Sequence, residues 1–199
     1  GTSVVGGGPL GPGYTFLWSP AAGLSSTTSN PVAASPQNTT TYTVTATTPG
    51  GCTRTASILI TVNKRPVVTT QPVDIARCAG ASASFTVGAT GTGLTYQWQE
   101  STAGCAGPWS NVINGGAYSG ATSATLNINP VTGLMNGYAY RVIVSGVCAP
   151  WTPPTNVSGC AVLTVNPLPV VAITPVGPVC GGVAGISGTQ LSTASAPPP

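Results

Sequence analysis

The chain contains no histidine and only two acidic residues, Asp74 and Glu100. Without an imidazole there is no Ser–His pair, no histidine general base and no histidine metal ligand. The two acids stand 26 positions apart in unrelated local contexts, which argues against a paired-carboxylate hydrolase. Hard cations such as calcium want several carboxylates, and those are missing. Charge of either sign is scarce, at 4% of 199 residues against about a quarter in an average domain. The net +3 reflects missing acids and not a basic patch, because Lys64 and Arg65 adjoin while Arg54, Arg77 and Arg141 are scattered. Nucleic acid is therefore not an expected partner. Long apolar runs are also absent. Ile58-Leu-Ile60 is typical, far below the roughly 20 residues that cross a bilayer, so no membrane insertion is expected. We read the chain as not an enzyme, with no catalytic residue, no metal and no cofactor. Gly1-Thr-Ser3 lacks the charged start and apolar core of a secretory leader, so the chain reads as a mature or internal piece.

What is present is apolar and β-branched. The 41% hydrophobic content sets the chain apart from disordered segments. The 27 glycines and 20 prolines punctuate short alternating runs instead of forming tracts. Thr41–Thr47, Ser57–Val62, Ser84–Val87, Thr125–Ile128 and Tyr140–Val144 all have strand character, and no window sustains a helical period. The expected fold class is all-β. The six cysteines form no Cys-x-x-Cys pair, so zinc and thioredoxin-like readings are weak. An even count in a loop-rich chain favours disulfides in an oxidising space, hence an extracellular or cell-surface location.

The sequence repeats itself. Thr61-Val-Asn-Lys-Arg-Pro-Val-Val68 returns as Thr164-Val-Asn-Pro-Leu-Pro-Val-Val171 at an offset of 103, and Cys78-Ala-Gly80 returns as Cys180-Gly-Gly182 at 102. Each match reads as a seam: a last strand ending Thr-Val-Asn, a short proline linker, then a first strand leading to Cys-x-Gly. A module of about 100 residues has the size of a sandwich domain. The seams predict an incomplete module over 1–63 without its first strands, a complete module over 64–166, and the opening strands of a further module over 167–199. Either the chain is one period of a longer tandem array, or the tail of one copy completes the open sandwich of the next. In both readings the main partner is self, as a head-to-tail polymer.

Within 64–166, Phe85-Thr-Val87 reads as strand B and Tyr96-Gln-Trp-Gln99 as strand C, with Trp98 in the core. Leu126-Asn-Ile128 reads as strand E and Tyr138–Val142 as strand F. Tyr140 stands two residues before Val142, the spacing of a tyrosine corner and its inter-sheet cysteine. This resembles the immunoglobulin fold, with Val87 and Val142 at the cysteine positions. Tyr96–Gln99, Gly116–Thr122 and Met135–Val142 resemble the immunoglobulin-like repeats of large secreted Bacteroidota surface proteins. Trp18–Ser25, Thr39–Val44 and Gly51-Cys52 resemble their polycystic-kidney-like modules. The resemblance implies tandem immunoglobulin-like β-sandwich modules in a secreted adhesin or surface fibre, often exported by the type IX route.

In an immunoglobulin topology Cys78 falls at the A–B turn and Cys105 in the C–C′ turn, while Cys148 and Cys160 flank the F–G loop. The expected pairs are Cys78–Cys105 and Cys148–Cys160, with the other connectivities open. Cys52 and Cys180 remain as candidates for a bond between repeats. Trp18 and Trp98 read as core, whereas Trp109 and Trp151 are the ligand-facing candidates. Ser25, Ser26, Thr27, Thr28, Ser29, Ser192, Thr193 and Ser195 are candidate O-glycosylation sites, since a nearly uncharged β surface has little protection against association. Asn38 and Asn156 head N-glycan acceptor patterns that are read as chance. The leading function is a structural subunit of an extracellular filament or adhesin stalk. The alternative is a carbohydrate-binding accessory module of a secreted hydrolase.

Overall fold

Alternation of side chains decides which residues meet. In Ala139–Ser145, Tyr140, Val142 and Val144 are fully buried while Arg141 and Ile143 are only partly covered. That is the period-2 pattern of a strand with one face on a core. The computed structural model describes residues 1–7, 12–148 and 156–172. Residues 1–168 gather into one compact unit that contains two separate hydrophobic cores. Pro169 begins a second unit, of which residues 169–172 are described and carry no strand.

The first core is built by five strands: β1 (Ser3–Val5), β2 (Thr15–Ser19), β3 (Val32–Ala34), β4 (Thr40–Thr47) and β5 (Thr53–Ile60). Strands β2, β4 and β5 form an antiparallel sheet in that order, and β1 pairs with β3 opposite. Val5, Trp18, Val32, Ala34 and Tyr42 are buried between them. The Trp18 indole N–H donates to the Ser29 carbonyl at 2.9 Å, and the Tyr42 hydroxyl to the Ala22 carbonyl at 2.6 Å. Both polar tips are thus satisfied at the edge of the core.

The second core follows after the linker. Its strands are β6 (Val67–Thr70), β7 (Ile75–Cys78), β8 (Ala83–Thr86), β9 (Gly88–Thr90), β10 (Thr95–Ser101), β11 (Ser110–Asn111), β12 (Tyr118–Ser119), β13 (Thr125–Ile128), β14 (Ala139–Ser145) and β15 (Ala161–Asn166). One sheet runs β11-β10-β14-β15-β7, the last pair parallel; the other runs β12-β13-β8, and β6 pairs with β9. In immunoglobulin letters these are C′CFGA′ and DEB, with A on B. Strands B, C, E and F fall where the sequence places them. Phe85, Val87, Trp98, Leu126, Ile128, Tyr140, Val142 and Leu163 form the centre of the core. Val87 and Val142 are 3% and 0% exposed, so apolar packing holds the sheets together at the expected cysteine positions. Gly120, at φ +78°, makes the turn before β13, where a Cβ would collide with the Thr125 carbonyl.

The linker is tied down. Lys64 N–H donates to Thr92 Oγ1 at 2.9 Å, Thr92 N–H to the Lys64 carbonyl at 3.0 Å, and Val147 N–H to the Thr92 carbonyl at 2.9 Å. Its backbone is therefore held by the B–C turn, which the F–G turn holds in its turn.

Candidate functional site

With acids and bases so scarce, the chemistry available lies in cysteines, aromatics and sheet edges. The structure joins Cys105 to Cys160, with Cα atoms 5.8 Å apart, and leaves Cys52, Cys78 and Cys148 as free thiols. This corrects the expected pairs Cys78–Cys105 and Cys148–Cys160. The reason lies in where the returning strand begins. Val144 N–H donates to the Asn156 carbonyl and Ser158 N–H to the Val142 carbonyl, so the chain is already back alongside β14 by residue 156. Cys160, one residue before β15, therefore lies level with the middle of β14, while Cys148 stays at the F–G tip, on the order of 20 Å further along. Cys78 sits at the opposite end of β15, paired with Asn166. Meanwhile the short 3₁₀ turn Gly104–Ala106 brings Cys105 back beside the start of β15. Cys180 and Trp151 lie outside the described residues, as do Ser192, Thr193 and Ser195.

Trp109 does not present a bare ring. The Arg141 guanidinium lies 4.3 Å over it, a cation–π stack. Arg141 Nε also donates to Gln99 Oε1 at 2.9 Å, and Gln99 Nε2 to Asn111 Oδ1 at 2.9 Å. Desolvation lowers the Arg141 pKa from its ordinary value. Trp18 and Trp98 are core residues as expected, and the Trp98 indole donates to the Ser123 carbonyl at 2.9 Å.

A polar relay escaped the sequence reading. Tyr118 donates to Glu100 Oε2, and its hydroxyl lies 3.0 Å from that of Tyr140. Burial first, then the Glu100 hydrogen bond, drives the Tyr118 phenol well above its ordinary pKa; burial pushes Tyr140 up to about 12. The signal was there in parity, because Glu100 stands two residues after Trp98 and so faces inward. Its partner Tyr118 lies 18 residues on, across turns that alternation does not place. Tyr140 thus spends its hydroxyl on Tyr118 instead of the backbone bond expected of a tyrosine corner.

Ser25–Ser29 form a turn in which Ser26 Oγ accepts from the N–H groups of Thr28 and Ser29, each at 3.1 Å. Ser25, Thr28 and Ser29 are exposed; Ser26 and Thr27 are partly covered. An open polar cleft of about 350 Å³ is lined by Arg77, Ser82, Ser84, Ser119, Asn127 and Asn129, with no aromatic among its lining residues.

The two cores differ at one edge. In the second module β7 covers the outer edge of β15, and Ala161, Leu163 and Val165 are 0%, 0% and 6% exposed. Their repeats 103 residues earlier are Ile58, Ile60 and Val62. Ile58 is 44% exposed and the other two are partly exposed. Among the described residues no strand lies on the outer edge of β5. No helix among them is long and apolar enough to cross a membrane.

Comparison with known proteins agrees with this architecture. A family model described as a domain of unknown function, DUF8696, matches residues 69–167, just under half of the chain. No curated protein matches. Among solved structures, a three-domain immunoglobulin fragment of titin superposes with a TM-score of 0.55 at 15% identity, covering 78% of this chain and 56% of that one. The N-terminal eight immunoglobulin domains of the Down syndrome cell adhesion molecule give 0.55 at 14% identity, covering 83% and 22%. The complex of Dpr2 with DIP-Theta gives 0.51 at 15%, covering 76% and 56%. The chain thus spans about half or less of the length of these structures. At such identities the likeness concerns fold alone: this chain is an all-β protein of tandem immunoglobulin-like sandwiches.

Proposed function

We propose that the chain is a structural subunit or repeat of an extracellular filament or adhesin stalk, built by joining immunoglobulin-like modules head to tail. The observation that carries the reading is the β5 edge, on which no strand lies among the described residues, together with a segment after Asn166 that repeats the sequence leading into the strands covering β15. An exposed strand edge with little charge is a template for pairing, and adding a strand to it is an established assembly mode. The Cys105–Cys160 bond supports an oxidising, extracellular or cell-surface location. The hydrogen-bonded linker supports a stalk that resists bending at its seams. The residues resembling Bacteroidota surface repeats support export to the cell surface. Glycans on Ser25–Ser29 would add the solubility that charge does not supply. The composition supports a role without catalysis.

Negative-stain microscopy of the purified chain tests the proposal. Linear filaments or end-to-end oligomers are expected. Monomers at all concentrations that bind ligands on a glycan array would replace it with the carbohydrate-binding reading.

A further inference from the structure

Two free thiols sit where a neighbouring copy's cysteines would arrive, and we propose that each junction between copies is closed by two disulfides, Cys148–Cys180 and Cys52–Cys78. The inference rests on the assembly reading above and specifies the strand, its register and its covalent lock.

The complete module supplies the template. There β7 runs parallel to β15 with Asn166 opposite Cys78, and Ala79 N–H donates to the Asn166 carbonyl at 2.9 Å. The repeat carries Asn166 onto Asn63, Cys78 onto Cys180 and Ala79 onto Gly181. A second copy's segment laid along β5 in this register places Cys180 beside Asn63, about 5 Å between Cα atoms, and aims the Gly181 N–H at the Asn63 carbonyl. In the chain as it stands that carbonyl accepts the Cys148 thiol at 3.3 Å. A thiol is a weak donor, and a backbone N–H arriving in register displaces it. The freed Cys148 sulfur, left at the Asn63 carbonyl beside the arriving strand, is then the thiol that meets Cys180. Cys52 cannot fill this role, because it stands 11 residues before Asn63, at the other end of β5, about 35 Å away.

Cys52 has its own place. It lies in the β4–β5 turn, as Cys148 lies in the turn after β14. At the seam after Asn63 the turn that follows β14 touches the end of the preceding strand. Repeating that seam after Asn166 brings the next copy's β4–β5 turn against Asn166, whose strand partner is Cys78. One copy thus offers Cys78 and Cys180, and the next receives them with Cys52 and Cys148. Each bond forms by thiol–disulfide exchange. An external disulfide, carried by a small molecule or an oxidoreductase, takes two electrons and two protons from the pair of thiols and leaves as two thiols.

The test mixes nitrogen-14 and nitrogen-15 preparations of the full chain under an oxidised/reduced glutathione couple. Non-reducing gels should show a ladder in steps of 19.5 kDa that collapses on reduction. Peptide mass spectra should show Cys148–Cys180 and Cys52–Cys78 links with mixed isotopes. The C52S/C148S double variant should lose the ladder. Gly181→Pro, which removes that N–H, should lose the Cys148–Cys180 link with an unchanged circular dichroism spectrum. Links confined to one isotope, a Cys52–Cys180 link, or no link would overturn the proposal. Filaments seen by microscopy in dithiothreitol would then show that the assembly reading survives it; monomers there would show that both fail.

Discussion

Tyr118, Tyr140 and Glu100 make the second module sensitive to alkali. Both phenols are held protonated in the folded state, Tyr140 up to about pH 12 and Tyr118 beyond it, whereas an unfolded tyrosine titrates near 10. Raised folded values mean that the native state keeps protons the unfolded chain has lost. Their stabilisation is complete below pH 10 and declines as the pH climbs towards 12 and above. Urea unfolding followed by Trp98 fluorescence should therefore give a midpoint flat from pH 7 to 9 and falling from pH 10. Tyr118→Phe should shallow that fall, and an unaltered slope would remove the relay from the explanation. At this scale parity carried much of the reading. The inward set Trp98, Val87, Val142 and Tyr140 follows from alternation alone. The partner of Glu100 did not, since a hydrogen bond across a loop depends on turn geometry that Gly104, Gly107, Gly115 and Gly116, all at positive φ, set and alternation does not report.

At the scale of elements, the Cys105–Cys160 bond ties the end of β10 to the start of β15 across a separation of 55 residues. Chain entropy alone values a loop of that length at about 4 kcal/mol, of which about 2–4 is usually realised. Cys105→Ser should lower the unfolding free energy by that amount in denaturant titration, while Cys148→Ser should cost little in the isolated chain. Equal losses from both would mean that the structural brace had been misidentified. The strands themselves were legible, because Pro and Gly cut the chain into runs whose edges turn chemistry fixes. The pairing of cysteines was not. It depends on the returning strand joining β14 early, at Asn156, and on the 3₁₀ turn that reverses Cys105. Strand β5 should show its open edge directly: its outward amides should exchange quickly in the monomer and slow down on assembly, as read by hydrogen-exchange mass spectrometry.

For the whole molecule the contrast between the two cores sets the order of events. Among the described residues, five buried ones support the first module and fifteen the second. Each fully buried Val, Leu, Ile or Phe contributes about 1.5–3 kcal/mol, so the smaller core is the weaker one. Under reducing conditions, denaturant should melt the first module first, reported by Trp18, with the second following at higher concentration. One sharp transition would instead mean that the hydrogen bonds around Lys64 and Thr92 couple the two into a single cooperative unit. Assembly should close the gap, raising the first transition towards the second.

The parallel pairing of β7 with β15 has a mechanical consequence. Strands that enter at one end of a sandwich and leave at the other carry tension along their length, so pulling the termini apart loads a whole row of hydrogen bonds in shear at once. Once that row gives way, the Cys105–Cys160 bond still withholds about 180 Å of contour from extension. An oxidised chain would yield in short steps and a reduced one in long ones, and the redox state of the surroundings would set how far it stretches.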